Sequence, residues 1–267
     1  MGTIKNRDEF IALVVEDNFS NYEIAKSFLN EIGVCCENAF DGIEAIEMCR
    51  DRGTGYYSLI LMDINLPRLN GIQTTKRIRS ITEKTPVIAM TAYSKDSHFM
   101  NLAYDMFDAV ISKPFSYAKF NAVISPYIPV GTSKDPERAV CSTGPAAADP
   151  AGINANVCDV TQGISNMGGN ADLFIKHFNN FKYNNVDLAV RLRNHIDGKQ
   201  YREAATLCHS TKGVSGMLAL SDIYNEVIDL ESVLTDKTSL TEDEARITDD
   251  LLSSISDSIR QICMIRL

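Results

Sequence analysis

The chain has 267 residues, 45% hydrophobic and 23% charged, with a formal net charge of −9. That balance suits a globular protein with enough apolar surface for two domains, and the negative excess argues against tight nonspecific binding to nucleic acid, which rests on Lys and Arg neutralising phosphates. No apolar run reaches the length of a bilayer span, the opening MGTIKNRDEF has no signal-peptide core, and the seven cysteines form no CxxC pair and are odd in number; a disulfide framework or zinc site is disfavoured, and a reducing, cytoplasmic setting is expected.

Five short apolar runs come first: IALVVED (Ile11–Asp17), VCCENAF (Val34–Phe40), YSLILMD (Tyr57–Asp63), PVIAMTA (Pro86–Ala92) and AVISKP (Ala109–Pro114). Each reads as a strand followed by an amphipathic, helix-like stretch. Strand and helix alternating in this way predict an α/β half with a parallel sheet covered on both faces. Between Pro129 and Asn156 the periodicity stops, and four prolines among small residues read as a linker over 129–156. As a flexible coil it would have an rms span of roughly 30 Å.

Helical spacing then dominates. Phe174, Phe178, Phe181, Leu188, Leu192 and Ile196 recur at steps of three, four or seven, with Gly198 as a stop. Tyr201 to Leu220 follows, then Ile223, Val227, Leu230 and Leu234, then Ile247, Leu251, Ile255, Ile259 and Ile262. Thr241 and Glu244 are spaced as a capping box ahead of the last helix. Four main helices with short connections predict an all-α, antiparallel four-helix bundle, preceded by a short helix near Asp159 to Asn166.

In an open parallel sheet, ligands bind beyond the carboxyl ends of the strands, where strand order reverses. The polar residues at these ends are Glu16 and Asp17 after the first strand, Asp63 after the third, Thr91 near the end of the fourth and Lys113 at the end of the fifth. With strand order 2-1-3-4-5 the first and third strands are neighbours and bring three carboxylates to one edge. Their repulsion calls for a cation, and hard oxygen ligands with partial hydration suit Mg²⁺. Carboxylates, a divalent cation, a lysine and a hydroxyl together suit phosphoryl transfer, where catalysis is mostly positioning and charge neutralisation. Singly, each residue reads as a helix cap, a strand-former or a chain turn; their joint placement at four strand ends favours a site.

ALVVEDNFSN, LILMDINLPRLNG, VIAMTA and ISKPF, in that order and spacing, resemble the receiver domain of response regulators over about Phe10 to Ile128. The resemblance implies a flavodoxin-like (βα)5 domain at residues 8–128 with Asp63 as phosphoacceptor. It implies that Asp17, Asp63 and the backbone carbonyl of Asn65 bind Mg²⁺, that Glu16 acts through water, and that Thr91 and Lys113 hold phosphoryl oxygens. A cis Lys113–Pro114 bond is expected. Val110 stands where the family often has an aromatic switch residue, and Leu66 where methionine is common. A haloacid-dehalogenase-like phosphatase would need a second Asp two residues after its nucleophile, where this chain has Asn65. An FMN site would need a Ser/Thr/Gly phosphate loop, where it has EDNFSN.

Of the four histidines, His98, His177 and His195 have no suggestive neighbours and are expected to be solvated or partly packed. His209, Lys212, Gly213 and Gly216 fall at i, i+3, i+4 and i+7, one face of a helix, with Leu207, Thr211, Val214 and Leu218 largely opposite. A phosphorylatable imidazole needs exposure, a cation one turn away and missing side chains through which a partner approaches. The segment LCHSTKGVSGMLAL, with GISNMGGNADLFIKHFNNF upstream, resembles the histidine phosphotransfer (Hpt) domain over residues 157–267. That resemblance implies phosphorylation of His209 on Nε2, with Lys212 as its electrostatic partner. Thr211, Met217 and Ala219 stand where an apolar residue, Asn and Gly are common. A helix-turn-helix reading fails because SDIYNEVIDLESVLTD carries Asp222, Glu226, Asp229, Glu231 and Asp236 and no Lys or Arg.

Together the two resemblances imply a segment of a two-component phosphorelay. An upstream histidine kinase domain would phosphorylate Asp63, and His209 would relay phosphoryl groups to or from receiver aspartates, including that of a downstream response regulator. Receiver–Hpt contact within or between chains is expected, and contact of this segment with nucleic acid or membrane is not. Nothing resembles the ATP-binding half of a kinase, and no GxxxxGK[ST] loop is present. The pair is expected as the C-terminal part of a hybrid sensor histidine kinase anchored in a membrane. A free-standing relay protein, or a binding module with an inert His209, is the alternative.

Overall fold

A computed structural model describes residues 10–91, 106–128 and 154–267, and the chain divides into two compact units, Met1–Ser142 and Thr143–Leu267. His98, Cys141, the helix expected after the fourth strand and nearly all of the expected linker lie outside the described residues.

In the first unit, β1 (Ile11–Val15), β2 (Cys35–Ala39), β3 (Tyr57–Asp63), β4 (Val87–Thr91) and β5 (Ala109–Ser112) form one parallel sheet in the order β2-β1-β3-β4-β5. The central strands are apolar on both sides because helices cover both faces. Phe28 of α1 (Phe19–Glu31) packs edge-on against Phe120 of α4 (Tyr117–Ile124), ring centroids 5.5 Å apart. Against the other face, Ile46 and Cys49 of α2 (Gly42–Arg52) and Ile78 of α3 (Gly71–Arg79) join Leu13, Val15, Ile60 and Met62 in one cluster.

Each of these helices starts on a side chain that accepts a first-turn N–H: Asn18 for α1, Asp41 for α2, Asn70 for α3 and Ser116 for α4. This assignment bears on the acidic residues after β1. The cap of α1 is Asn18, so neither Glu16 nor Asp17 serves that purpose.

The second unit contains α5 (Val160–Asn166), α6 (Ala171–Asn185), α7 (Leu188–Asp197), α8 (Tyr201–Met217), α9 (Ser221–Leu234) and α10 (Glu242–Met264). The single helix predicted over Phe174 to Ile196 is two helices, α6 and α7. Val186 keeps helical dihedrals, while Asp187 departs to φ −110° and ψ 14°. The apolar stripe nevertheless runs on through Phe174, Phe178, Phe181, Leu188, Leu192 and Ile196, all buried. α7 packs on α8, α8 on α9, α9 on α10, and α10 returns to α6 and α7. Lys182 donating to the carbonyl of Ile265, and Arg193 pairing with Asp249, run α6–α7 antiparallel to α10.

The expected capping box of Thr241 and Glu244 is present. The buried stripe of α10, however, begins at Thr248 and Leu252 before joining Ile255, Ile259 and Ile262, while Ile247 is 46% exposed. Steps of four advance the helix by about 40° beyond a full turn each, so Ile247, Leu251 and Ile255 cannot stay on one seam; alternating steps of four and three do. His177, expected to be solvated or partly packed, is buried beside this phenylalanine stripe. No helix among the described residues is long and apolar enough to cross a membrane, and none of the six described cysteines is in a disulfide.

The α8–α9 turn is fastened to the start of the unit: Asp159 N–H donates to Ala219 O at 3.1 Å, and Asp222 N–H to Asn156 O at 3.0 Å. Gly163 helps this approach, since a Cβ there would lie 3.0 Å from Leu218 O as well as 2.3 Å from the Phe174 ring of α6. Ala219 itself sits at φ 54°, the left-handed region that a Cβ disfavours. Ala219→Gly is therefore expected to stabilise the second unit by about 1 kcal/mol, read as a raised denaturation midpoint at unchanged slope.

Candidate functional site

Strand register assembles the first site. β1 pairs with β3 so that Val15 lies beside Met62, which brings the next residues, Glu16 and Asp63, to the same edge. β4 and β5 end together, Thr91 beside Ser112, and Lys113 N–H donates to Thr91 O at 2.6 Å. The Lys113–Pro114 bond is cis, as expected. One ligand oxygen each from Glu16, Asp17 and Asp63 lie within 4.8 Å of one another.

Lys113, 9% exposed, closes the cluster. Its Nζ donates to Glu16 Oε2 at 2.6 Å and to Asp63 Oδ2 at 2.7 Å. Asp63 Oδ1 accepts the backbone N–H of Asn65 at 2.9 Å, so the turn carrying the Asn65 carbonyl is tied to the carboxylate it follows. Gly71 starts α3 against this turn, where a Cβ would stand 2.1 Å from the carbonyl oxygen of Asp63. Thr91 is buried at the end of β4.

Nothing in the sequence position of Asn21 marks it as a site residue, yet its Nδ2 donates to Glu16 Oε1 at 3.0 Å. Its only local signal is its place one turn beyond Asp17, on the face of α1 turned to the sheet edge. Burial pushes the carboxyl of Glu16 up to about 8; the Lys113 ammonium opposes that rise and the Asp63 charge adds to it. Burial works to lower Lys113, but the carboxylates of Asp63 and Glu16 outweigh it and hold the ammonium well above its usual range. Three carboxylates against one ammonium leave a formal negative excess among hard oxygen donors, and this donor set fits Mg²⁺.

The second site lies on α8. Glu231 of α9 bridges its two principal groups: Oε1 pairs with His209 Nδ1 at 2.7 Å, and Oε2 accepts from Lys212 Nζ at 2.5 Å. The three side chains are 20%, 17% and 20% exposed for His209, Lys212 and Glu231. An ionised carboxylate opposite Nδ1 places the proton on that nitrogen, which makes Nε2 the basic nitrogen of the neutral ring.

In the sequence Glu231 is one acidic residue of a helix unsuited to DNA, and nothing local links it to a histidine 22 positions earlier. Of the face expected to be open, His209, Lys212 and Gly216 are half-buried and Gly213 is buried, while Cys208 rather than Leu207 takes the core position. Thr211 is accommodated inside because its hydroxyl donates to Leu207 O at 2.8 Å.

Burial works to raise the carboxyl of Glu231, but hydrogen bonds from His209 and Lys212 prevail and lower it below its ordinary value of 4.5. A lowered carboxylate contributes stability above its unfolded pKa and loses it as pH falls through the folded one. The melting-temperature advantage of the unsubstituted chain over Glu231→Gln should therefore be full above the ordinary carboxylate value of 4.5 and shrink as pH falls below it, as thermal unfolding at a series of pH values would read.

The model of the response regulator receiver domain matches residues 12–125. The chain is 32% identical over 116 residues to two-component response regulator 24 of Arabidopsis thaliana, covering 42% of this chain and 80% of that protein. It is 32% identical over 128 residues to the osmosensing histidine protein kinase SLN1 of Saccharomyces cerevisiae, covering 46% of this chain and only 10% of the kinase. Among solved structures, the receiver domain of sensor histidine kinase PA1611 from Pseudomonas aeruginosa, described with a magnesium ion in its active site cleft, aligns at 28% identity and a TM-score of 0.40 over 44% of this chain and 96% of that one.

Proposed function

The chain belongs, through residues 12–125, to the response regulator receiver family, and from that premise we propose that it is a phosphorelay segment in which Asp63 and His209 are successive phosphoryl carriers. The observation that carries the reading is the carboxylate trio of Glu16, Asp17 and Asp63 closed by the Nζ of Lys113. The proposed domains are a receiver at 8–128, a linker at 129–156 and an Hpt domain at 157–267, the last supported by the antiparallel packing of α6–α7, α8, α9 and α10 and by a half-buried His209 on α8 held by Glu231. The segment is proposed to act within a hybrid sensor histidine kinase, with a kinase domain as donor and the receiver of a separate response regulator as acceptor.

In the first transfer, an oxygen of the Asp63 carboxylate bonds to phosphorus as the phosphorus–nitrogen bond of a phosphohistidine donor breaks. Lys113 holds the carboxylate against rotation and balances charge on the phosphoryl oxygens, with Thr91 as a hydroxyl donor to the same oxygens. Asp17, Asp63 and the carbonyl of Asn65 would hold Mg²⁺, with Glu16 alongside; bound there, the ion supplies neutralisation of phosphoryl charge. In the second transfer, Nε2 of His209 displaces the Asp63 carboxylate from phosphorus. Glu231 keeps a proton on Nδ1, so that when the phosphoryl group later leaves Nε2 the departing group is neutral imidazole and not imidazolate. Lys212 balances the phosphoryl charge one helical turn away.

The test is incubation of the chain with a phosphodonating histidine kinase and Mg²⁺, followed by measurement of acid-labile phosphate. Label is expected on both carriers and on an added receiver; Asp63→Asn should carry none from a kinase donor, and His209→Gln should keep label on Asp63 without passing it on. Label confined to Asp63 would reduce the second unit to a binding module. Glu231→Ala is expected to slow transfer from His209 by about tenfold or more at unchanged helix content, because the tautomer and orientation of the ring are lost, read by rapid-quench kinetics and circular dichroism.

A further inference from the structure

The loop from Ile64 to Asn70 joins Asp63 to α3 and carries the Asn65 carbonyl. Backbone N–H groups fix its two ends: Asn65 N–H donates to the side-chain Oδ1 of Asp63 at 2.9 Å, and Gly71 N–H to Ile64 O at 3.0 Å. Between them, Leu66 and Leu69 are buried and Pro67 is exposed. Arg68 stands at φ 62°, in the left-handed region that residues with a Cβ avoid. Its guanidinium pairs with Oδ2 of Asp41.

Asp41 is no incidental partner. Its side chain is 9% exposed, and its Oδ1 accepts the N–H groups of Ile43 and Glu44 at 2.8 and 3.0 Å, capping α2. Two residues earlier, Ala39 O accepts the backbone N–H of Glu16 at 3.0 Å. Gly42 lets the start of α2 reach the loop, since a Cβ there would lie 2.6 Å from Leu69 O. The Arg68–Asp41 pair thus links the loop bearing Asn65 to the segment that follows the strand end anchoring Glu16.

We propose that Arg68 and Asp41 form a latch that positions the Asn65 carbonyl for the divalent cation, making Arg68 a positioning residue of the cation site although it lies outside the acidic cluster. The inference rests on the receiver reading of that cluster. It concerns a residue that ligates nothing: Arg68 acts through the loop backbone, and its charge is spent on Asp41.

The experiment is Mg²⁺ titration of the full chain, followed by backbone amide resonances, with Kd as the readout and the unfolding temperature as control. Arg68→Ala is expected to weaken Mg²⁺ by about tenfold at an unfolding temperature close to that of the unsubstituted chain. Arg68→Lys should recover part of the loss. Asp41→Asn keeps an N-cap side chain while removing the charge, and should weaken Mg²⁺ comparably. The double variant should bind no more weakly than the weaker single one. Tight binding by Arg68→Ala, or additive losses in the double variant, would sink the latch and leave the cation site standing. Failure of the unsubstituted chain to bind Mg²⁺ would instead overturn the receiver-site reading and the latch with it.

Discussion

One buried ammonium organises the first unit. Lys113 reaches Glu16 and Asp63, 97 and 50 positions away in the chain, and so joins the carboxyl ends of β5, β1 and β3. Charges taken out of water in this way are tolerable only when paired, and removing one partner of a buried ion pair typically costs about 3–5 kcal/mol because the other is left uncompensated. Here the pairing is deliberately short of neutral. Two buried carboxylates and a third beside them exceed the single ammonium, so the same edge that stabilises itself through Lys113 keeps capacity for a divalent cation.

That surplus is held in place by backbone geometry more than by side-chain packing. The parallel register sets Glu16 level with Asp63, and the start of α3 presses on the Asp63 carbonyl because Gly71 has no Cβ. Asn18, Asp41 and Asn70 cap the helices that leave the same edge. With those N–H groups satisfied by other side chains, the carboxylates of Glu16, Asp17 and Asp63 gather at one edge without serving as caps.

The second unit inverts the arrangement. Where a lysine bridges two carboxylates in the first, the carboxylate of Glu231 bridges a lysine and an imidazole. A ring held through Nδ1 has a defined tautomer and orientation, which a nucleophile needs and a merely solvated histidine lacks. The two glycines of α8 divide between purposes: Gly213 is buried, and only Gly216 contributes to the partly open face around His209.

Features set by short-range chemistry were legible in the sequence: the alternation of strand and helix, the acidic and basic residues at strand ends, the Thr241–Glu244 capping box, and His209 with Lys212 one turn apart. These depend on residues a few positions away, whose geometry follows from the period of a helix or strand. Tertiary structure alone decided what depends on lateral distance or on the rotation of one element against another. It brought Asn21 to Glu16, Glu231 to His209 and Arg68 to Asp41, interrupted the helix at Asp187, buried His177, and chose Thr248 over Ile247 as the seam of α10. Local periodicity names the face a helix can bury, but its precession and the neighbour it meets select the residues that touch.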